Sequence, residues 1–220
     1  MTYEELVKNR KDSKLNIDGL INQSELDFDT GCYLDPWGKW YNSANPDILV
    51  IGQDWGNVKY YEKNNGLDNP SNPTCSNLIK LFSSIGFEIG SPLKPNTELK
   101  LHFANIIPFI RRGKMQGSLE LILNQQTINV FALIFMKPLV ELLQPKIVIT
   151  LGLASTTALL NVFDIPTEKK NKLTEMVTGP AINLTDDIKL LPMFHCGASV
   201  INRNRNLELQ KIDWQRVIKK

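Results

Sequence analysis

Two polar segments follow apolar runs near opposite ends of the chain, and each contains a side chain suited to acid–base chemistry. Asp54 lies in the segment GQDWG at 52–56, directly after the apolar run 48–51, and His195 directly follows the apolar run 190–194. Each pattern predicts a buried strand that ends in a polar turn. Because parallel strands end at one edge of a sheet, where α/β proteins bind ligands, we expect Asp54 and His195 to share a cleft.

The chemical types of these two residues indicate what such a cleft does. A carboxylate at Asp54 orients a water molecule or stabilises a developing cation. A neutral imidazole at His195 donates a hydrogen bond to an anionic leaving group. Each residue alone is equally suited to an ordinary role in a turn or a helix cap, so the hypothesis depends on their pairing. The other histidine, His102, lies within a predicted strand and is expected to be structural.

Two further strand ends carry polar groups. Asn105 lies near the end of a strand predicted over 99–107, and its side-chain amide offers a donor and an acceptor to the edge of a base. The segment GLAS at 152–155 closes another strand and opens a helix, so its backbone N–H groups and the Ser155 hydroxyl suit a phosphate. Basic residues follow the same strands, at 111–114 and at Arg203 and Arg205. Together they predict a phosphate-binding rim around the cleft.

Apolar runs alternate with helical patterns along most of the chain. Strands are predicted over 47–51, 99–107, 146–151 and 189–194, and helices over 74–85, 119–143 with a break near Pro138, 154–162, 167–177 and 207–218. Strands joined by helical crossovers form a mostly parallel sheet with helices on both faces. We therefore predict an α/β fold, a three-layer α/β/α sandwich around a four-stranded, mostly parallel sheet.

The length of 220 residues, 42% of them hydrophobic, suits one domain spanning 1–220. Residues 1–45 form an N-terminal helix, opened by a capping-box pattern at 2–5, and an irregular extension. The stretch 57–76 is rich in Asn, Pro and Gly and is predicted to be a long loop, a kind of segment that is often functional.

Composition also excludes several classes of protein. Three widely spaced cysteines, Cys32, Cys75 and Cys196, argue against a disulfide framework, a zinc knuckle or an iron–sulfur cluster, so we expect reduced thiols, a cytoplasmic location and no metal. The N-terminus is polar and no apolar run reaches the roughly 18 to 20 residues of a membrane span, so no membrane segment is predicted. The chain has neither a Walker pattern nor a G-x-G-x-x-G motif, so we expect no nucleotide cofactor.

Taken in order, these motifs resemble those of the uracil-DNA glycosylase superfamily. The GQD at 52–54 is similar to the start of the family's GQDPY motif, and PTCSNL at 73–78 is similar to its proline–serine loop. Asn105 matches the strand-end asparagine that recognises uracil, 152–155 resembles the Gly-Ser phosphate loop, and His195 matches the histidine of the HPSP-type motif. The resemblance spans about residues 46 to 206, and the order of the motifs is more specific than any one of them.

This resemblance implies a function and a role for each residue. The chain would flip a nucleotide out of single- or double-stranded DNA and hydrolyse its N-glycosidic bond, as a monomeric, monofunctional DNA glycosylase without cofactor. Asp54 would stabilise the oxocarbenium-like state and position the water, and His195 would stabilise the departing base. Gln53 and Asn105 would bind the base. The predicted phosphate contacts are Ser76, Ser155, Ser199, Arg203 and Arg205.

The chain departs from the family where the base is selected. Trp55-Gly56 replaces the family's Pro-Tyr, and because that tyrosine excludes the thymine methyl group, Gly56 opens the floor of the pocket. Asn69 takes the place of the phenylalanine that stacks on the base, so stacking would fall to Trp55, Tyr60 or Tyr61.

After His195, the segment CGAS at 196–199 replaces the family's prolines and intercalating leucine, which leaves Val200 or Ile201 as the wedge. We expect retained glycosylase chemistry with an altered base: uracil, a deaminated purine such as hypoxanthine, or a bulkier modified pyrimidine. The alternative is a non-catalytic DNA-binding or interaction protein on the same fold. A third hypothesis is a nucleoside hydrolase or another enzyme of small molecules, which would need no basic rim.

Overall fold

A five-stranded, mostly parallel sheet organises this computed structural model, which describes residues 1–114, 123–166, 172–203 and 205–218. The strands of the sheet, in spatial order, are β5 (Leu101–Ile107), β2 (Ile48–Asp54), β7 (Ile147–Leu151), β9 (Lys189–Met193) and β8 (Ile182–Asn183). β8 pairs antiparallel with β9 at the edge of this sheet. Two separate antiparallel pairs lie outside it, β1 (Leu20–Ile21) with β6 (Ile110–Arg111) and β3 (Gly90–Ser91) with β4 (Lys94–Pro95).

The four predicted strands are present, but the predicted strand number is wrong. β8 is the fifth strand and runs antiparallel to β9, with Ile182 opposite Leu190. Two residues are too few to produce the alternation or the apolar run by which a strand is recognised in sequence. The four longer strands pair in parallel, and the register places Gly52 opposite Asn105 and Leu151 opposite Met193. Their carboxyl ends therefore lie along one edge.

Helices connect the strands and flank the chain ends. They are α1 (Tyr3–Asp12), α2 (Val58–Lys63), α3 (Pro73–Ser83), α4 (Gln125–Phe131), α5 (Lys137–Leu143), α6 (Leu153–Val162), α7 (Leu173–Thr178), α8 (Ala198–Arg203) and α9 (Leu207–Trp214). The capping box that opens α1 is confirmed, because Thr2 Oγ1 accepts from the Glu5 amide at 3.2 Å and the Glu5 carboxylate accepts from the Thr2 amide at 2.7 Å. The predicted long loop contains α2, which Asn57 caps.

The predicted break near Pro138 takes the form of a wider helical turn. A π-helical segment, Ala132–Met136, joins α4 to α5 without interrupting the helix. Because proline lacks an N–H and its ring crowds the carbonyl one turn earlier, a widened turn at this point relieves the conflict. The start of this predicted helix, at 119–122, and residues 167–171 of the helix predicted over 167–177 lie outside the described residues.

Strand side chains alternate between two buried clusters. Leu49 and Ile51 of β2 pack with Phe131 and Phe135, whereas Val50 packs with Phe82 and Trp214 in the other cluster. Full burial of each such side chain stabilises the fold by about 1.5 to 3 kcal/mol.

Within the described part of the chain, one helix, Gln125–Leu143, is long and apolar enough to cross a membrane, with a mean hydropathy of 1.4 over its best window. Core helices of globular proteins pass the same test. Phe131, Phe135 and Leu139 of this helix are buried in the first cluster. The helix is therefore only a weak indication of a membrane span.

Candidate functional site

The ends of β2, β7 and β9 meet around Gly152. The Gly152 amide donates to the Met193 carbonyl at 2.8 Å, which ties the two strand ends together. A Cβ atom at position 152 would lie 2.9 Å from Gln53 Nε2 and 3.8 Å from His195 Cβ, and Gly152 has a φ of +100°. Only glycine suits that backbone and that space. The structure thus brings the Gln53 and His195 segments together as the sequence predicts.

Asp54 is held by Arg111, a buried arginine that the sequence pattern assigns to the phosphate-binding rim. Arg111 Nη2 donates to Asp54 Oδ1 at 2.7 Å, and Arg111 Nε donates to Oδ2, forming a bidentate ion pair. The Arg111 side chain is 3% exposed and the Asp54 side chain 7% exposed. The Arg111 amide also donates to the Gly56 carbonyl at 2.9 Å, which fixes the turn after Asp54. Arg111 therefore orients the carboxylate, and does not lie on the predicted phosphate rim.

The imidazole of His195 has a defined donor and acceptor side. The Gly197 amide donates to His195 Nδ1 at 2.9 Å, so Nδ1 carries no proton and the neutral ring carries its proton on Nε2. Burial lowers the pKa of His195; Asp54 raises this pKa, and Arg111 lowers it. The proton that the neutral ring can donate is therefore the one on Nε2. The catalytic role of His195 stays a prediction.

The amide of Asn105 is fastened to a buried carboxyl group. The Asn105 backbone N–H donates to Asp35 Oδ2 at 2.9 Å and Asn105 Nδ2 donates to Asp35 Oδ1 at 3.0 Å. Burial raises the pKa of Asp35 to about 6, against the hydrogen bonds from Asn105 and Trp37. Asn105 Oδ1 faces Gly52, where a Cβ atom would approach it to 2.4 Å. The donor side of the amide is therefore engaged by Asp35, and the oxygen faces the β2 strand end.

The predicted stacking residues are largely covered by protein. The Tyr61 ring is fully buried and meets the Trp55 ring edge-on, with centroids 5.7 Å apart. Trp55 also contacts Tyr60, with centroids 4.9 Å apart. Tyr61 thus offers no free face to a base in this structure, whereas Trp55 lies at the strand end with its indole ring packed between tyrosines.

The predicted phosphate-binding serines differ in exposure. The Ser155 hydroxyl is buried and donates to the Leu151 and Gly152 carbonyls at 3.0 and 3.1 Å, so it turns into the start of α6. Ser76 is half-buried and donates to the Pro73 carbonyl at 3.3 Å. Ser199, at the start of α8, is exposed. Ser199 is the one of the three whose side chain faces solvent.

The two predicted arginines after His195 also have different surroundings. Arg205 makes two contacts with Asp213, Nη2 to Oδ1 at 2.7 Å and Nε to Oδ2 at 3.0 Å, and its guanidinium lies 5.8 Å from the Phe194 ring centroid. These contacts fasten α9 beside the His195 strand. Arg203 is exposed at the end of α8. Arg203 is thus available to a phosphate, and Arg205 is engaged in holding the fold.

Asp68 is a buried acid at the site that the sequence did not single out. It lies in the loop between α2 and α3 and is 7% exposed. Burial raises its pKa to about 7; the side chains of Trp55, Cys75 and Trp37 face it as donors and lower this pKa, and Asp35 raises it. The only sequence signal was the long Asn- and Pro-rich stretch that contains it. Asp35 had a similarly general signal, the Asp-Pro turn at 35–36.

Across the described ranges, no three His, Cys, Asp or Glu side chains come close enough to hold a metal ion. The three cysteines are free thiols. No protein-family model matches this chain, and no curated protein matches it significantly.

Proposed function

We propose that this chain is a monofunctional DNA glycosylase that hydrolyses the N-glycosidic bond of a flipped-out deaminated or modified base and leaves an abasic site. The observation that carries the proposal is the meeting of Gln53, Asp54 and His195 at one edge of the parallel sheet, around Gly152. The remaining expectations belong to the same proposal: a three-layer α/β/α sandwich, a cytoplasmic monomer, and action on DNA without metal or cofactor.

The chemistry assigns one task to each group. The flipped base lies against the end of β2, and the glycosidic bond breaks with its electron pair leaving on the base. His195 Nε2–H donates to the developing negative charge on the base. The Asp54 carboxylate, oriented by Arg111, offsets the positive charge on the sugar and orients the water. The water oxygen bonds to the sugar carbon, and its proton passes to solvent or to the departed base.

Exposed cations near the same edge would hold the DNA backbone. Arg203 follows His195 in α8, and Arg112 and Lys114 follow the Arg111–Asp54 ion pair; all three are exposed. Contacts of this kind are sequence-independent and weaken with salt. The proposed rim therefore consists of Arg203, Arg112 and Lys114 with Ser199.

The test is base release from single-lesion oligonucleotides, single- and double-stranded, carrying uracil, hypoxanthine, xanthine, mismatched thymine or a modified cytosine. Alkali cleavage reveals each abasic site. We expect release at one lesion that is lost in His195→Ala and reduced in Asp54→Asn, with Asp186→Asn, the same change at an exposed position, as the control. Equal release by the wild type and both site variants would contradict the assigned roles.

A non-catalytic DNA-binding protein on the same fold is the second candidate. The Arg111–Asp54 ion pair favours it, because a carboxylate engaged on both oxygens has less capacity to activate a water. This candidate predicts salt-dependent DNA binding without release of any base. Turnover at a single lesion would eliminate it.

A further inference from the structure

A polar cavity of about 340 Å³ lies between the C-terminal end of α1, strand β1 and the residue that follows β6. Pockets for small ligands range from about 300 to 1,000 Å³, so this one is large enough for a small molecule or part of a larger one. The charged side chains that line it are Lys11, Lys14, Arg112 and Glu25. Three cations against one carboxylate leave an excess of positive charge, which favours an anion as the ligand.

Two of these cations have donors to spare. Arg112 Nε donates to the Leu20 carbonyl at 2.9 Å, which fixes the guanidinium at the cavity, and its Nη groups make no hydrogen bond to the residues described. Lys14 is exposed and forms no ion pair within the described ranges. The neighbouring Asp12 carboxylate pairs with Lys8 at 2.7 Å. Arg112 and Lys14 can therefore both donate to an anion in the cavity.

The carboxylates beside the other lining residues are already engaged. The Glu25 carboxylate accepts from the Asn22 amide at 3.3 Å. Asp29 pairs with the buried Arg10 at 2.7 Å as well as with Lys11 at 3.2 Å. Because Arg10 alone balances the charge of Asp29, the positive charge of Lys11 is not cancelled at the cavity.

The carbonyl end of α1 also lies at this cavity, and side-chain donors cover it. The C-terminus of a helix carries partial negative charge on its last carbonyl groups, which repels anions. Here Asn22 Nδ2 donates to the Arg10 and Lys11 carbonyls at 2.7 and 3.2 Å, and Ser24 Oγ donates to the Lys11 carbonyl at 3.1 Å. Asn22 is 2% exposed, so these contacts also hold the cavity wall in place before a ligand binds.

We propose that this cavity binds a phosphate group, held by the Arg112 guanidinium and the Lys14 ammonium, with the Ser13 hydroxyl as a further donor. A guanidinium matches two phosphate oxygens at once, and an ammonium adds a mobile point charge. Ser13 Oγ accepts from the Leu15 amide at 3.4 Å, which leaves its O–H free to donate. The site goes beyond the proposed function, because it does not depend on release of a base.

Two sources can supply the phosphate. Arg112 belongs both to this cavity and to the proposed rim, and the preceding residue, Arg111, holds Asp54. A DNA strand that follows the rim therefore reaches the cavity with a backbone phosphate. A small phosphomonoester, such as a nucleoside monophosphate, would instead occupy the cavity by itself.

The experiment is a titration with inorganic phosphate, followed through the backbone amide NMR signals around Lys14 and Arg112. Sodium chloride at the same ionic strength corrects for general screening. The variants are Lys14→Gln and Glu25→Gln, and Lys80→Gln, the same change at an exposed lysine of α3, is the control.

The two variants are expected to act in opposite directions. Lys14→Gln removes a charged donor and weakens phosphate binding about 10-fold. Glu25→Gln removes a negative charge that faces the ligand, while its amide oxygen still accepts from Asn22, so binding tightens about 2- to 5-fold. Lys80→Gln leaves binding at the wild-type level. Shifts no larger than those with sodium chloride, or equal phosphate affinity in Lys14→Gln and the wild type, would overturn the site.

Titrations with a nucleoside monophosphate and with lesion-free duplex DNA identify the source. Weaker duplex binding by Lys14→Gln, with phosphate competing against the duplex, supports the DNA backbone. Weaker binding of the monophosphate alone supports a small molecule. Base release by a wild type that binds no phosphate here would overturn this inference and leave the proposed function intact. Phosphate binding without release at any lesion would support the cavity site and overturn the proposed function.

Discussion

His102 is buried and His195 is half-buried, and their rings are held in opposite ways. His102 Nδ1 lies 3.0 Å from the Ser43 carbonyl, and because a carbonyl only accepts, Nδ1 carries the proton. His195 Nδ1 accepts from the Gly197 amide, so the proton of its neutral ring is on Nε2. The two residues are therefore opposite tautomers.

Their electrostatic surroundings differ as well. Burial lowers the pKa of His102 to about 4, against one hydrogen bond from the backbone, and the Tyr3 ring meets it edge-on at 5.6 Å. Burial also lowers the pKa of His195, but the charges of Asp54 and Arg111 act on that ring in opposite directions. Burial alone thus does not separate a structural histidine from a candidate functional one; the charged groups beside the ring do.

The largest expected effect is on base release. His195→Ala removes the donor to the departing base, and we expect release to fall about 100- to 10,000-fold. His102→Asn leaves release at the wild-type level but lowers the free energy of unfolding by about 1 to 3 kcal/mol, because it disturbs a buried hydrogen bond. Lesion cleavage and urea unfolding measure the two quantities. A comparable loss of release in both variants would remove the distinction between the two histidines.

The charges beside His195 give the next effect. Arg111→Met leaves the Asp54 carboxylate buried without its partner, and we expect the free energy of unfolding to fall by about 3 to 5 kcal/mol. Adding Asp54→Asn to it removes the charge and recovers most of that loss. Because Arg111 lowers the pKa of His195, its removal raises this pKa and leaves that of His102 unchanged. Urea unfolding and imidazole NMR titration test both expectations, with Arg112→Met as the exposed control; unchanged stability and an unchanged His195 pKa would contradict the importance of the ion pair.

The framework of the site was predictable, whereas its polar contacts were not. The strand β2, which ends at Asp54, and the strand β9, which ends two residues before His195, follow from short apolar runs of the kind found in strands buried on both faces. The ion pair between Asp54 and Arg111 depends on the short antiparallel strand β6, whose two residues give no pattern. Asp35 and Asp68 lie in irregular segments, where no periodicity indicates which side chain is buried. Hydrogen bonds and ion pairs between side chains far apart in the sequence can be identified only from the three-dimensional structure.

The pH dependence of stability gives a third effect, in which Asp68 and His102 act in opposite senses. The pKa of Asp68 rises from its usual 3.8 to about 7, so the folded state binds more protons between these values and stability falls as pH rises through them. The pKa of His102 falls from 6.5 to about 4, so the folded state binds fewer protons there and stability is lost as pH falls through that range. The pKa shift of each group changes the free energy of unfolding by up to about 3 to 4 kcal/mol across its pH range.

Urea unfolding from pH 4 to 9 measures these slopes. We expect Asp68→Asn to reduce the decline on the alkaline side, with the part due to the raised pKa of Asp35 remaining, and His102→Asn to reduce the decline on the acid side. A wild-type profile that both variants reproduce would show that neither group changes its protonation on folding.

The smallest effect separates the two arginines after His195. Arg203 is exposed, so Arg203→Ala weakens DNA binding uniformly across sequences and reduces the slope of log affinity against log salt by about 1. Arg205 is paired with Asp213, so Arg205→Ala lowers the free energy of unfolding by a few kcal/mol, because it leaves that carboxylate buried without its partner. Salt titrations of DNA binding and urea unfolding of both variants test this division. If Arg205→Ala reduced the salt slope without loss of stability, Arg205 would belong to the phosphate rim after all, and the exposed end of α8 would no longer mark the path of the DNA.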